Sequence, residues 1–443
     1  MAVPSLARAE SLAAGEASRL TQVAQLVTAY GPPAVVLTLP LEFTAVYLRQ
    51  PVVRWVLVVL GAAYVYLLLT GRRTLALPRR ASALLLLAFI ALAVAGWLVT
   101  RAQGSLRELG DVVVYPVVGL VLMNTIRTAE EHRRAWVALL VSGLAVAVLG
   151  IWLGLTHQAI WTFNPLVANR DNITFADPNI TARFLSICAA AAVMLYSARR
   201  MPAWLALSAG VACAVVQPMT LSRSGLVLFV VSVLLGAALA VDRRRALVFG
   251  LGLVTVFALS TAINPETRQR ALAAADTVVS TVTGTAHNIS APYPGTNQDT
   301  FALEDQRRYL IAAGASMFAD HPVFGVGLGG YEHQLKTTYS RFIPTNIPRP
   351  DTVSHTAFVT IAAEEGLAGL VLVLAFLVQL GREAWRWRRV VWVAAPAAMI
   401  VPVVLYSQFE GRFLEEPYLW LFLALFYSAL PGATLLRGRS HTM

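Results

Sequence analysis

The chain has 443 residues, of which 57% are hydrophobic and only 13% charged, and its mean hydropathy is +0.64. A soluble domain carries about twice that share of charge, so a water-soluble globular protein is excluded. The formal charge of +11 arises from 35 Lys and Arg against 24 Asp and Glu. These cations sit in short clusters between apolar blocks and form no single stripe, which excludes a nucleic-acid-binding surface and fits a topology signal.

Apolar blocks of membrane-crossing length predict helices over 27–48, 52–70, 82–100, 111–126, 135–155, 178–198, 203–220, 224–241, 246–263, 355–380, 390–407 and 418–435. The stretch before them, MAVPSLARAESLAAGEASRLTQ, lacks the basic-then-apolar pattern of a cleaved signal, so the spans themselves drive insertion. With about 12 transmembrane helices, the clusters Arg72–Arg73, Arg79–Arg80, Arg133–Arg134, Arg199–Arg200, Arg243–Arg245 and Arg388–Arg389 fall on one side. The positive-inside rule then puts both termini in the cytoplasm. Cys188 and Cys213 lie inside apolar blocks without ligand spacing and read as small core residues. The fold class expected is all-α and polytopic. Residues 1–263 are expected to form an N-terminal bundle of nine spans, 264–354 one large polar loop with short helices, and 355–443 a C-terminal bundle of three spans.

A loop of about ninety residues is longer than a connector needs. Its middle, TGTAHNISAPYPGTNQDT, reads as flexible. The stretch EDQRRYLIAAGASMFADHP carries helical apolar spacing at Leu310, Ala313, Met317 and Phe318 before a Pro stop, which predicts a helix lying at the membrane surface.

Charges inside spans are costly and mark candidate sites. Arg183 stands one turn into the sixth span, just after Asp177 and Asn179. That depth suits a guanidinium facing an outward-opening cavity, or one reaching back to the headgroups. SRSG at 222–225 makes a tight turn that holds Arg223 at the same face. Arg307 and Arg308 open the loop helix, with Arg341 and Arg349 further along. Guanidinium groups bind phosphate oxygens through paired hydrogen bonds, so their convergence predicts a pyrophosphate site. HPVFGVGLGGY at 321–331 lacks the spacing of a nucleotide-binding loop; its glycines predict a tight backbone path. His355 opens the tenth span, as a helix-start residue or as a proton acceptor near neutral pH. Glu364 lies nine residues beyond it, next to Glu365. No metal-ligand pattern and no GxSxG appear in the sequence.

Taken in order, four features resemble the O-antigen ligase and polymerase superfamily, membrane glycosyltransferases of the GT-C class with one large periplasmic loop. They are SRSG in a tight turn, an Arg opening a loop helix, HPxxGxGxGxY at that helix's end, and a His followed at +9 and +11 by Glu and Gly. The resemblance covers roughly 178–380. It departs at Thr356, where Asn commonly follows the His, and at Ile311, where Trp is usual. The resemblance implies an inverting transfer without metal or cofactor. The donor would be a glycan on undecaprenyl pyrophosphate and the acceptor lipid A-core, at the periplasmic face of the bacterial inner membrane among its lipids. It also implies catalytic roles for His355, Arg183 and Arg307, with Arg308 the near alternative to Arg307; Arg308, Arg223, Asn179, Tyr331 and Glu364 are expected to contact substrate. The alternatives are an O-antigen polymerase, a protein O-oligosaccharyltransferase and, in another class, a transporter of lipid-linked oligosaccharide.

Overall fold

The computed structural model describes residues 6–100, 106–161, 170–269, 271–272, 299–343, 353–409 and 411–430, with backbone alone for 6–17 and 299–307. Among them every regular element is helical. The apolar helices are α1 (Leu6–Thr38), α2 (Val52–Leu69), α3 (Ala81–Thr100), α4 (Leu106–Thr125), α5 (Ala129–Thr156), α6 (Pro178–Ser197), α7 (Ala203–Val216), α8 (Arg223–Leu239) and α9 (Arg243–Ile263). Two loop helices follow, α10 (Asp299–Asp320) and α11 (Gly330–Lys336), then α12 (Ala357–Arg386), α13 (Val391–Ser407) and α14 (Pro417–Ala429). Seven of these are long and apolar enough to cross a membrane, and α1 with the segment after it makes an eighth candidate. Helices α8, α13 and α14 are shorter but apolar. The chain is thus an all-α, multi-pass membrane protein, and among the described residues each apolar block read from the sequence falls mainly on helix.

Helix boundaries follow local chemistry. Asp177, Ser222, Asp242 and Glu416 each cap a helix start by accepting a backbone N–H two or three residues on. Pro178 and Pro417 occupy the first helical positions, where no N–H is needed. Thr128 and Glu131 form a reciprocal capping box at α5.

The expected first span, 27–48, is not one straight helix. It stops at Thr38, before Pro40, and resumes over Glu42–Leu48 at 93° to its former direction. Pro40 has no N–H to continue the ladder. The freed polar groups find partners in the segment before α6: the Phe43 N–H donates to the Thr174 carbonyl at 3.0 Å, and the Glu42 carboxylate accepts the Ala176 N–H at 2.9 Å.

Helix α6 is the axis of the bundle, with most of its length buried against α5, α7, α8, α9 and α13. Lipid tails are as apolar as Leu, so helices associate in a membrane by close packing of small residues. Here Gly143 faces Cys188, Gly225 faces Ala182, and Gly236 lies against the Ala190 carbonyl. Cys188 and Cys213 are free, buried and part of this packing.

Candidate active site

Helix α12 is broken where it should be most regular. Gly366 has φ +67° and ψ −159°, a conformation essentially restricted to glycine. A break inside a span leaves backbone groups that lipid cannot satisfy. The HPVFGVGLGG segment satisfies them. The Val326 and Gly327 N–H groups donate to the Ala363 and Glu364 carbonyls, both at 2.8 Å, while the Leu367 and Ala368 N–H groups donate to the Pro322 and Val323 carbonyls at 2.8 and 3.1 Å. Gly325 and Gly327 have positive φ, and a Cβ on Gly325 would fall 2.4 Å from the Glu364 backbone. The glycine-rich motif is therefore a backbone graft into a broken helix, the tight path expected of it.

The rest of the described loop packs on that graft. Of the apolar face read from the spacing, Leu310, Ala313 and Met317 of α10 are buried together with Tyr331, Leu335, Tyr339 and Ala363, while Phe318 is half-buried. Tyr331 is fully buried; its hydroxyl donates to the Leu310 carbonyl and its N–H to the Glu364 carboxylate. Glu364, also buried, caps α11 in this way and pairs with Arg412 at 3.6 Å. Tyr331 and Glu364, expected to contact substrate, are both buried here and hold the loop to the span.

His355 sits two residues before α12 with φ +54° and is half-buried. Ser354 and Thr360 are linked by their hydroxyls at 2.9 Å, which fixes the backbone around it. The loop between α13 and α14 presses on the same point. A Cβ on Gly411 would lie 3.0 Å from both the His355 N and Cα, so only glycine allows this approach.

The next residue, Arg412, is the charge that sequence reading missed. Its guanidinium lies 3.1 Å from Glu415, 3.6 Å from Glu364 and 3.7 Å from Glu108 of α4. Burial opposes its charge, but the three carboxylates outweigh that and hold its pKa above the ordinary value. Three carboxylates cannot all ionise comfortably around one cation, and the burden shows at Glu415. Burial, with Asp111, Glu108 and Glu364 added, pushes its carboxyl up to about 7 against the pull of Arg412. The signal available in the sequence was GRFLEEP, a charged run directly before a span.

Arg183 is engaged from the same loop. It is buried, and its Nη1 lies 2.6 Å from the Glu416 carboxylate. Glu416 neutralises it beneath the surface, as an intramembrane charge requires. One turn above, the Asn179 Oδ1 accepts from the Ser222 hydroxyl at 2.7 Å and from Arg170 at 2.9 Å. Asn179 thus joins the SRSG turn to the α6 start, and Arg223 is the half-buried first residue of α8. Arg170 also donates to the Thr220 carbonyl. Arg308 is exposed on α10, and Arg341 is exposed beside Phe342. The Arg307 side chain, Arg349 and the loop middle with His287 lie outside the described residues.

One end of the bundle thus gathers His355, the Arg412 cluster, Arg183 with Glu416, and the Asn179–Ser222 turn. Helices α6, α8, α12 and α14 all begin there. No curated protein matches the chain. Residues 208–374 match the family model described as O-antigen ligase, a span that runs from α7 through SRSG, the glycine graft and His355 into the second half of α12. That match supports a member of the O-antigen ligase and polymerase superfamily.

Proposed function

We propose that the protein transfers an O-antigen polysaccharide from undecaprenyl pyrophosphate to a sugar hydroxyl of lipid A-core, with inversion and without a metal ion, at the periplasmic face of the bacterial inner membrane. The observation that carries this reading is His355, held half-exposed at a span start and braced by Gly411, within the domain that matches the family. The Arg-rich clusters at the other ends of the spans favour the periplasm for the His355 end.

In this reading the acceptor oxygen attacks the anomeric carbon as the bond from that carbon to the pyrophosphate oxygen breaks. His355 takes the hydroxyl proton, and the lipid pyrophosphate leaves with the bonding pair. The leaving group is already a good one, so the main need is cationic charge near the departing oxygens. Arg223 and Arg307 supply it directly. Arg183, neutralised by Glu416, contributes by fixing the α6 start on which Asn179 and the SRSG turn depend.

Broken helices also occur in transporters, where they line a substrate cavity. Here both breaks are closed by backbone from neighbouring loops, which favours an enzyme over a transporter. The test is purified full-length protein in detergent, supplied with lipid-linked glycan and lipid A-core in the presence of a chelator. Formation of the joined glycolipid is the expected result. Glycan extended on the lipid carrier instead would identify a polymerase, and translocation in vesicles without any joined product would overturn the transferase reading.

A further inference from the structure

A second site lies at the other end of α6, fourteen residues and so about 21 Å along the helix from Arg183. A groove of about 510 Å³ opens there between the α6 end, α7 and the first turns of α9, within the range of about 300–1,000 Å³ usual for small-ligand clefts. Its composition is divided. Arg244 and Arg245 stand at the helix start, and Leu207, Val248 and Phe249 form an apolar wall along the span. Val248 is 70% exposed. The Arg245 guanidinium is stacked on the Tyr196 ring, 4.3 Å from its centroid, and so is held in place before any ligand arrives. Asp242 also lines the groove; its carboxylate accepts the Arg245 backbone N–H at 3.1 Å as the α9 cap, which turns it toward the helix.

We propose that this groove docks one anionic phospholipid, with its phosphate on Arg244 and Arg245 and the start of an acyl chain along Leu207, Val248 and Phe249. Charge complementarity and depth select this occupant. Two guanidinium groups at the membrane–water boundary call for a phosphate, while an apolar wall running into the span calls for a chain attached to it. A soluble anion would gain nothing from the wall, and a zwitterionic lipid little from the second guanidinium. The site is distinct from the His355 end and stands whether or not the transferase reading holds.

Native mass spectrometry of the full chain in detergent, titrated with phosphatidylglycerol or phosphatidylcholine, tests it. Wild type should retain one phosphatidylglycerol in preference to phosphatidylcholine. Arg244→Gln and Arg245→Gln should each weaken that binding about fivefold. Arg243→Gln removes the same charge beside the groove but not in it, and should change binding by less than about twofold. Gly252→Leu fills the groove from α9, where its Cβ would meet nothing within 4 Å; it should weaken binding with charge and melting temperature preserved. Equal losses for Arg243→Gln and Arg244→Gln would reduce the effect to bulk charge and overturn the site. Undiminished binding by Gly252→Leu, or displacement of the lipid by glycerol phosphate, would remove the apolar half and overturn it too.

Discussion

Arg183 of α6 and Glu416 at the start of α14 form an ion pair at 2.6 Å in which both side chains are almost wholly buried. The pair joins the central helix to the loop that braces His355. Removing one partner of such a pair leaves an uncompensated charge, at a cost of about 3–5 kcal/mol. Glu416→Ala should therefore lower the melting temperature sharply in detergent. Replacing both, as Arg183→Met with Glu416→Leu, should recover much of that loss. If the single variant melts like wild type, the pair has no structural weight.

The same pair separates positioning from mere charge. A lysine at 183 keeps the charge but not the planar fork, and its shorter reach changes the geometry at Glu416. Arg183→Lys should stay folded and lose most of its transfer activity. Wild-type rates in that variant would assign Arg183 to anchoring alone.

Gly366 and Gly325 hold the helix break and the loop grafted into it. A Cβ at Gly366 would lie 2.5 Å from the Val323 backbone, at a φ of +67°. Gly366→Ala should destabilise by about 3 kcal/mol or more, from strain and clash together. Gly381→Ala in the same helix is the control, because nothing lies within 4 Å of its Cβ. It should be neutral or slightly stabilising, since alanine is the better helix former by about 1 kcal/mol. Equal melting temperatures for the two variants would show that the break is not a structural requirement.

Glu415 links the Arg412 cluster to pH. Its carboxyl binds a proton more tightly in the fold, at about 7, than in the unfolded chain, at 4.5. A raised acid of this kind favours the fold most below 4.5, and that contribution falls as the pH rises to about 7. Because the side chain is 24% exposed, the loss is discounted to about 2 kcal/mol. Asp171, pushed up to about 6 mainly by burial, acts in the same direction. Melting temperatures between pH 4.5 and 7 should therefore decline less steeply for Glu415→Gln than for wild type. Parallel curves would show that Glu415 ionises normally.

His355→Ala should abolish transfer and leave the melting temperature within a few degrees of wild type, because the half-buried imidazole is not a core group. Retained product formation would remove His355 from the role of base.

How much of this was legible beforehand differs between fold and site. The spans were, because membrane insertion is decided by runs of apolar side chains whose length must match the hydrocarbon layer. Even the α10 face at Leu310, Ala313 and Met317 followed from spacing alone. Arg183, Asn179, Arg223 and His355 could be picked out as residues, since polar groups near span starts are conspicuous against an apolar background. Their partners could not. Nothing in DPNITARF says that Arg183 pairs with a glutamate more than two hundred residues away, and nothing in GRFLEEP says that Arg412 meets Glu108 and Glu364.

The sequence by itself determined that this chain is a helical membrane protein, where its helices run, and which side chains are too costly to be idle. Only the tertiary structure decided which charges meet, that Glu364 and Tyr331 lock a loop to a span, and that the glycine motif completes a broken span. The reason is range. Hydropathy and capping are properties of neighbouring residues, whereas the neutralisation of a buried charge or an interrupted backbone depends on whatever distant segment packing brings alongside.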